Sequence, residues 1–306
     1  MAKESKLSRR NFIGSAAAAT ALGMPKFSHA EQAGKFKLKY APHLKMFKAN
    51  AGLDAVDQIK FMADNGFRAF EDNKMHLRDV SEQKRMSREL EKHDMTMGVF
   101  VAYGIGEFDK HTFVHNDREI RDMLVDSMKK AVEVAKRVNA TWFTVVPGAY
   151  DPKMEWDYQT ANVIDNLKAC AEVCEPAGKV MVLESLNWWS NHPGLFLHKI
   201  PQAYQICKAV ASPSCKILDD LYHQQISEGN LIPNMEKAWD EIAYIQVGDN
   251  PGRKEPTTGE INYKNIFKWL FSKGFKGVIG MEHGNSRSGK DGELAVIEAY
   301  RQCDNF

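Results

Sequence analysis

Residues 180–184 read Val180-Met181-Val182-Leu183-Glu184, four apolar side chains followed by an acid. The same form returns at Lys216-Ile217-Leu218-Asp219-Asp220, at Tyr244-Ile245-Gln246 and at Val278-Ile279-Gly280-Met281-Glu282. Runs this short and this apolar, without polar alternation, are what strands covered on both faces require. Upstream, Phe36–His43, Phe67–Asp72, Thr96–Tyr103 and Thr141–Val146 have the same character. With Val180–Ser185, Cys215–Asp220, Ile242–Val247 and Gly277–Glu282 they make eight expected strands, about 30 residues apart.

Between the strands lie amphipathic stretches. Gly52–Asn65 runs into Gly66, which suits a helix C-cap, and Asp117–Val138 lines Leu124, Met128, Ala131 and Ala135 along one side. Glu155–Ala177, His198–Ala211, Leu231–Trp239, Tyr263–Ser272 and Glu293–Cys303 complete the expected helices. Strands alternating with helices, and never two strands in succession, imply a parallel sheet. Eight such units imply a single α/β domain, a (β/α)8 TIM barrel over residues 31–306, closed by strand eight against strand one. A doubly wound open sheet is the competing architecture. It loses ground because no G-x-G-x-x-G follows the first strand and no phosphate loop occurs.

The remaining residues, 1–30, read as an address. Ser8-Arg9-Arg10-Asn11-Phe12-Ile13-Gly14 resembles a twin-arginine export signal, followed by a mild Ala-rich run, Ala16 to Met24, and the small-x-small site Ser28-His29-Ala30. The run is too short for a membrane span, which needs about 20 apolar residues. The expectation is cleavage near Ala30 and a periplasmic or otherwise exported protein, carried by the twin-arginine machinery.

The whole chain has 41 Lys+Arg and 40 Asp+Glu in 306 residues, but residues 1–30 hold five of the bases and one of the acids. The body therefore carries 36 bases against 39 acids and lacks the basic footprint of a nucleic-acid partner. Five cysteines with no CxxC pair suggest core packing rather than a disulfide framework or metal site.

In a barrel of this kind the active site sits where the strands end, so the polar residues there carry the information. Glu184, Asp219 or Asp220, Gln246 and Glu282 end four successive strands. Acids following apolar runs are costly to bury alone, and several converging ones need a cation to offset their repulsion. Three carboxylates and an amide oxygen form a hard, all-oxygen donor set, suited to one divalent Mg²⁺ or Mn²⁺ rather than Zn²⁺. His43, Glu71 and Tyr103, ending the first three strands, are lesser candidates.

These strand ends, with Leu183-Glu184-Ser185-Leu186-Asn187, Pro193 to Leu197, Asp220 to Gln225, Glu228 to Leu231 and above all YIQVGDNPGRKEPTTGEINY (244–263), carry a resemblance. The chain resembles the xylose-isomerase-like barrel superfamily, and within it the hydroxypyruvate isomerase family, over roughly residues 36–304. The resemblance implies metal ligands at Glu184, Asp220, Gln246 and Glu282, the D-x-x-H spacing favouring Asp220 over Asp219. It implies that His223 and Arg253 hold substrate oxygens, with Glu255 contributing nearby. Glu184 and Glu282 would then be the catalytic acid/base pair, exchanging protons with the substrate through an enediolate. One carboxylate working across two carbons gives isomerisation, and two at one carbon give epimerisation. A homo-oligomer is compatible with this class.

Two features shift the expected substrate from hydroxypyruvate toward a larger sugar or keto-sugar. The loop after strand five carries Ser185 where the family has Pro, and then Trp188-Trp189-Ser190-Asn191-His192. Paired indoles suit the apolar face of a pyranose, so Trp188 and Trp189 are candidate substrate contacts; packing of the loop onto the barrel rim is the alternative. Export also argues against an internal metabolite. The same enolising site would serve a keto-glycoside lyase, and a catalytically silent sugar-binding barrel is a third reading. Nuclease chemistry would need a basic groove and a multi-histidine cluster, and the sequence offers neither.

Overall fold

The computed structural model describes residues 34–306; the expected export signal lies outside them. Among the described residues the strands are β1 (Lys39–Ala41), β2 (Ala69–Phe70), β3 (Thr96–Met97), β4 (Val101–Tyr103), β5 (Trp142–Val145), β6 (Val180–Glu184), β7 (Cys215–Asp220), β8 (Ile242–Gln246) and β9 (Val278–Gly280). The helices are α1 (Lys48–Ala51), α2 (Ala55–Asp64), α3 (Val80–Lys92), α4 (Arg118–Arg137), α5 (Trp156–Cys174), α6 (Ile200–Val210), α7 (Leu221–Ser227), α8 (Leu231–Ala238), α9 (Tyr263–Ser272) and α10 (Gly289–Asp304). None is long and apolar enough to cross a membrane.

Every strand pair is parallel. The main sheet runs β1-β9-β8-β7-β6-β5-β4, and β2 pairs with β3. The gap between β1 and β2 is bridged by His43 with Glu71 and by the Glu71 amide donating to the Pro42 carbonyl. The expected third strand, Thr96–Tyr103, is one barrel position split in two. Its first half pairs with β2 and its second with β5, and the Thr144 amide donates to the Phe100 carbonyl at the break. The eight-unit barrel is therefore present and the open sheet is not. The sequence reading missed α3, where only Gln83, Met86 and Leu90 are buried, and α7, a two-turn helix directly after β7.

Strand alternation sorts the side chains into two sets. Ala41, Ala69, Val99, Val182, Leu218, Tyr244 and Val278 point inward and pack together as the barrel core. Their neighbours Tyr40, Phe70, Met181, Leu183, Ile217, Ile245 and Ile279 point outward into the larger layer beneath the helices. Two residues beyond the inward set, the same parity delivers Glu71, Glu184, Asp220 and Gln246 to the upper end of the barrel interior. Asp219 has the opposite parity.

Candidate functional site

Residue parity brings the acids together, and the loops hold them. Glu184, Asp220 and His223, all buried, each offer one ligand atom within 4.8 Å of the others. Asp220 ends β7 and caps α7, its Oδ1 accepting from the main-chain amides of Tyr222 (2.8 Å) and His223 (3.4 Å). Its Oδ2 is left for the site. There it accepts from Arg253 Nη2 at 3.1 Å, and the same guanidinium nitrogen reaches Glu282 Oε2 at 2.9 Å. Arg253 Nε is tied to the Glu282 carbonyl at 3.1 Å. One guanidinium thus links two of the carboxylates expected to converge.

Electrostatics follow from this crowding. Burial, then repulsion from Glu282 and Asp220, pushes the Glu184 carboxyl well above its ordinary range. Burial also raises Glu282, against the opposing pull of Arg253. Glu71, reached from β2, is raised well above the usual range by burial and by Glu282. Four acids share one arginine, so the site is short of positive charge.

Two atoms test whether a divalent cation fits. Gln246 Oε1 is buried without a hydrogen-bond partner, while Nε2 of the same amide donates to Glu71 at 3.4 and 3.5 Å. A buried, unpaired amide oxygen close to a carboxylate is a hard donor of the kind that suits a divalent cation. His223 Nε2 is also unpartnered. Its Nδ1 accepts from the Asn187 main-chain amide at 3.3 Å and faces Asn187 Nδ2 at 2.6 Å. The Asn187 amide is oriented in turn, because its Oδ1 accepts from the Ser190 and Asn191 amides. With Nδ1 an acceptor, the neutral imidazole carries its proton on Nε2. Burial, with Arg253 nearby, holds its pKa well below the ordinary histidine value. His223 therefore presents a hydrogen-bond donor, and the carboxylates with Gln246 present the oxygens.

The loop bearing Arg253 is built by Asp249. Its Oδ1 accepts from the amides of Asn250 and Ile261, and its Oδ2 from Gly259. Arg253 itself sits at φ +50, a left-handed conformation that costs a non-glycine residue roughly 1–2 kcal/mol. Glu255 lies in this loop but does not join the cluster through its carboxylate: both oxygens accept from Ser286, one from its amide and one from its hydroxyl. It ties the 249–261 loop to the segment after β9.

The two indoles part company. Trp188 is half-buried, stacks on His198 (ring centroids 4.3 Å) and on Tyr150 (5.7 Å), and donates from Nε1 to the Leu195 carbonyl at 2.7 Å. Trp189 is 78% exposed. The lesser candidates separate as well. Tyr103 donates to Thr112, and His43 turns its ring nitrogens to the Leu44 and His283 carbonyls, whereas Glu71 joins the site.

Sequence reasoning missed two site residues. Asn73 Nδ2 donates to Glu282 Oε1 at 2.9 Å, and the Asn73 Oδ1 is buried and unpaired. His192 lies 5.5 Å from the His223 ring, its pKa lowered by burial and by Arg253. The parity of Glu71 pointed to Asn73, two residues further on; no periodic signal marks His192.

An acid-lined barrel mouth with a neutral imidazole donor and one arginine is an arrangement able to hold small polar molecules and exchange protons with them. Comparison with known proteins agrees. The xylose isomerase-like TIM barrel family profile matches residues 59–303, and the chain belongs to that family. The hydroxypyruvate isomerase of Escherichia coli (strain K12) is 27% identical over 264 residues, spanning 83% of this chain and 99% of the relative. The 2-oxo-tetronate isomerase of Cupriavidus necator is 26% identical over 249 residues, spanning 80% and 92%. Among solved structures, the 3-keto-D-glucoside 4-epimerase of E. coli superposes with a TM-score of 0.71 at 18% identity, over 87% of this chain and all of that one, a likeness of fold. By its relatives the chain is an isomerase.

Proposed function

We propose that the chain is a divalent-metal-dependent isomerase or epimerase of an α-hydroxycarbonyl substrate, a sugar, keto-sugar or small keto-acid. The observation that carries the reading is the buried convergence of Glu184, Asp220 and His223, with Gln246 Oε1 buried and unpaired. In this reading Glu184, Asp220, Gln246 and Glu282 hold one Mg²⁺ or Mn²⁺. When bound, the ion polarises the substrate carbonyl and acidifies the neighbouring C–H.

The chain's own groups do the rest. Glu184 and Glu282, both with carboxyls raised by burial, remove and return the proton. His223 Nε2–H and the Arg253 guanidinium donate to substrate oxygens, and Asn73 Oδ1 accepts from a hydroxyl beside Glu282. Of the two indoles, exposed Trp189 is the one available to a sugar ring. We also propose that the mature protein works after export.

The deciding experiment incubates the metal-loaded protein in D₂O with hydroxypyruvate, 2-oxo-tetronate and a panel of sugars and keto-sugars, following C–H exchange by NMR. Metal-dependent exchange at a carbon next to a carbonyl is the expected result. Exchange unaffected by chelation would remove the metal from the reading, and binding without exchange would leave a silent sugar-binding barrel.

A further inference from the structure

Glu71 takes no part in the proton transfers above, yet it is buried in the barrel interior against Tyr244 and Gln246. Tyr244 Oη donates to Glu71 Oε2 at 3.0 Å and itself accepts from the Val99 amide at 3.3 Å. Gln246 Nε2 makes a long bond shared between both Glu71 oxygens. The space is cleared by two glycines. A methyl at Gly280 would collide with Glu71 Oε2, and a methyl at Gly98 would collide with the Tyr244 hydroxyl. An acid accommodated this closely, with donors on both sides, is a built feature of the barrel.

We propose that Glu71 is a positioning residue that sets the polarity of the Gln246 amide. In its ionised form, accepting from Tyr244 and Gln246, the Glu71 carboxylate holds Nε2 toward itself. The other end of the amide, Oε1, must then face the carboxylate cluster. Reversing the amide would set its oxygen against a carboxylate and point an N–H at the cation site, removing one ligand. The inference rests on reading Gln246 as a ligand.

The test titrates the metal-free full chain with MnCl₂ by calorimetry and records thermal unfolding without metal, for wild type, E71Q, Q246E and E71Q/Q246E. E71Q can satisfy either end of the Gln246 amide, so the Mn²⁺ dissociation constant should rise roughly ten- to a hundredfold, as for other groups that orient metal ligands. E71Q/Q246E exchanges amide and carboxylate, restores a single polarity and should recover most of the affinity. Q246E alone sets two carboxylates face to face and should bind Mn²⁺ no more tightly than wild type.

A purely structural Glu71 would lower the melting temperature and leave Mn²⁺ affinity unchanged, which overturns the proposal while the functional reading stands. Tighter binding by Q246E alone would make negative charge, not amide polarity, the operative property, and overturns it too. Absence of Mn²⁺ binding by wild type defeats the functional reading itself. Should E71Q fail to fold, the double variant still decides, since failure to recover affinity there counts against the proposal.

Discussion

At the scale of single residues, the site depends on which atom of each side chain is already engaged. Glu282 has Oε1 on Asn73 and Oε2 on Arg253, so in the proposed reading the proton it carries would pass through a carboxylate steered from two sides. Glu282→Gln keeps the shape and an oxygen but cannot carry the proton. Turnover should fall by about 10²–10⁴-fold with Mn²⁺ still bound, a general-base loss. Wild-type rates in that variant would remove Glu282 from the chemistry. The indoles are separable in the same way. Trp188→Ala breaks the stack on His198 and the bond to Leu195, and should cost about 2 kcal/mol of stability, seen in denaturant melts. Trp189→Ala should leave stability unchanged and raise KM for a sugar by about tenfold if an exposed indole face is lost from binding. An unchanged KM for every sugar turned over would confine the loop to packing the rim.

Elements show what the sequence could and could not disclose. β7 matches its expected span to the residue, Cys215–Asp220, because Cys215, Ile217 and Leu218 supply its apolar positions and Asp220, which ends it, caps the helix that follows. The acid of the pair that enters the site, Asp220, follows from parity with Leu218. α3 went unread because, of the three positions it buries on one face, Gln83, Met86 and Leu90, only two are apolar. His192 and Glu255 illustrate a second limit. Whether a loop side chain faces the site or fastens another loop depends on contacts 31 residues along the chain, His192 with His223 and Glu255 with Ser286, and local spacing contains neither. The cysteines were legible as core. Cys170 and Cys174 on α5, Cys207 on α6, Cys215 on β7 and Cys303 on α10 are all free and buried. Burial pushes Cys170 and Cys174 up to about 12 and Cys303 to about 11. At pH 8 thiols of that kind are ionised to only about one part in 10³–10⁴, so iodoacetamide should leave the folded chain unlabelled. Unfolding should expose all five cysteines. Rapid native labelling at Cys170 would show that the α5 layer opens more readily than its packing implies.

At the scale of the whole molecule, charge divides the chain into two parts with different chemistry. Residues 1–30 hold five bases and one acid, including Arg9 and Arg10, whereas the remainder is slightly acidic. Among the described residues the barrel core runs from Ala41 to Val278, with β1 closing against β9, so in our reading activity should not depend on the two arginines. Export, in our reading, should. The motif Ser8-Arg9-Arg10-Asn11-Phe12 offers two adjacent guanidiniums, and a planar fork of fixed donors is not matched by the compact ammonium of lysine. Replacing both Arg9 and Arg10 by Lys keeps the charge and removes that geometry. The expected outcome is an uncleaved precursor retained in the cytoplasm, with the same metal-dependent turnover per molecule as wild type. Fractionation with an N-terminal sequence of the secreted form checks it, and correct processing of the double variant outside the inner membrane would refute twin-arginine export. Loss of turnover together with export would instead mean that the leader contributes to the barrel, against the division that the charge distribution suggests.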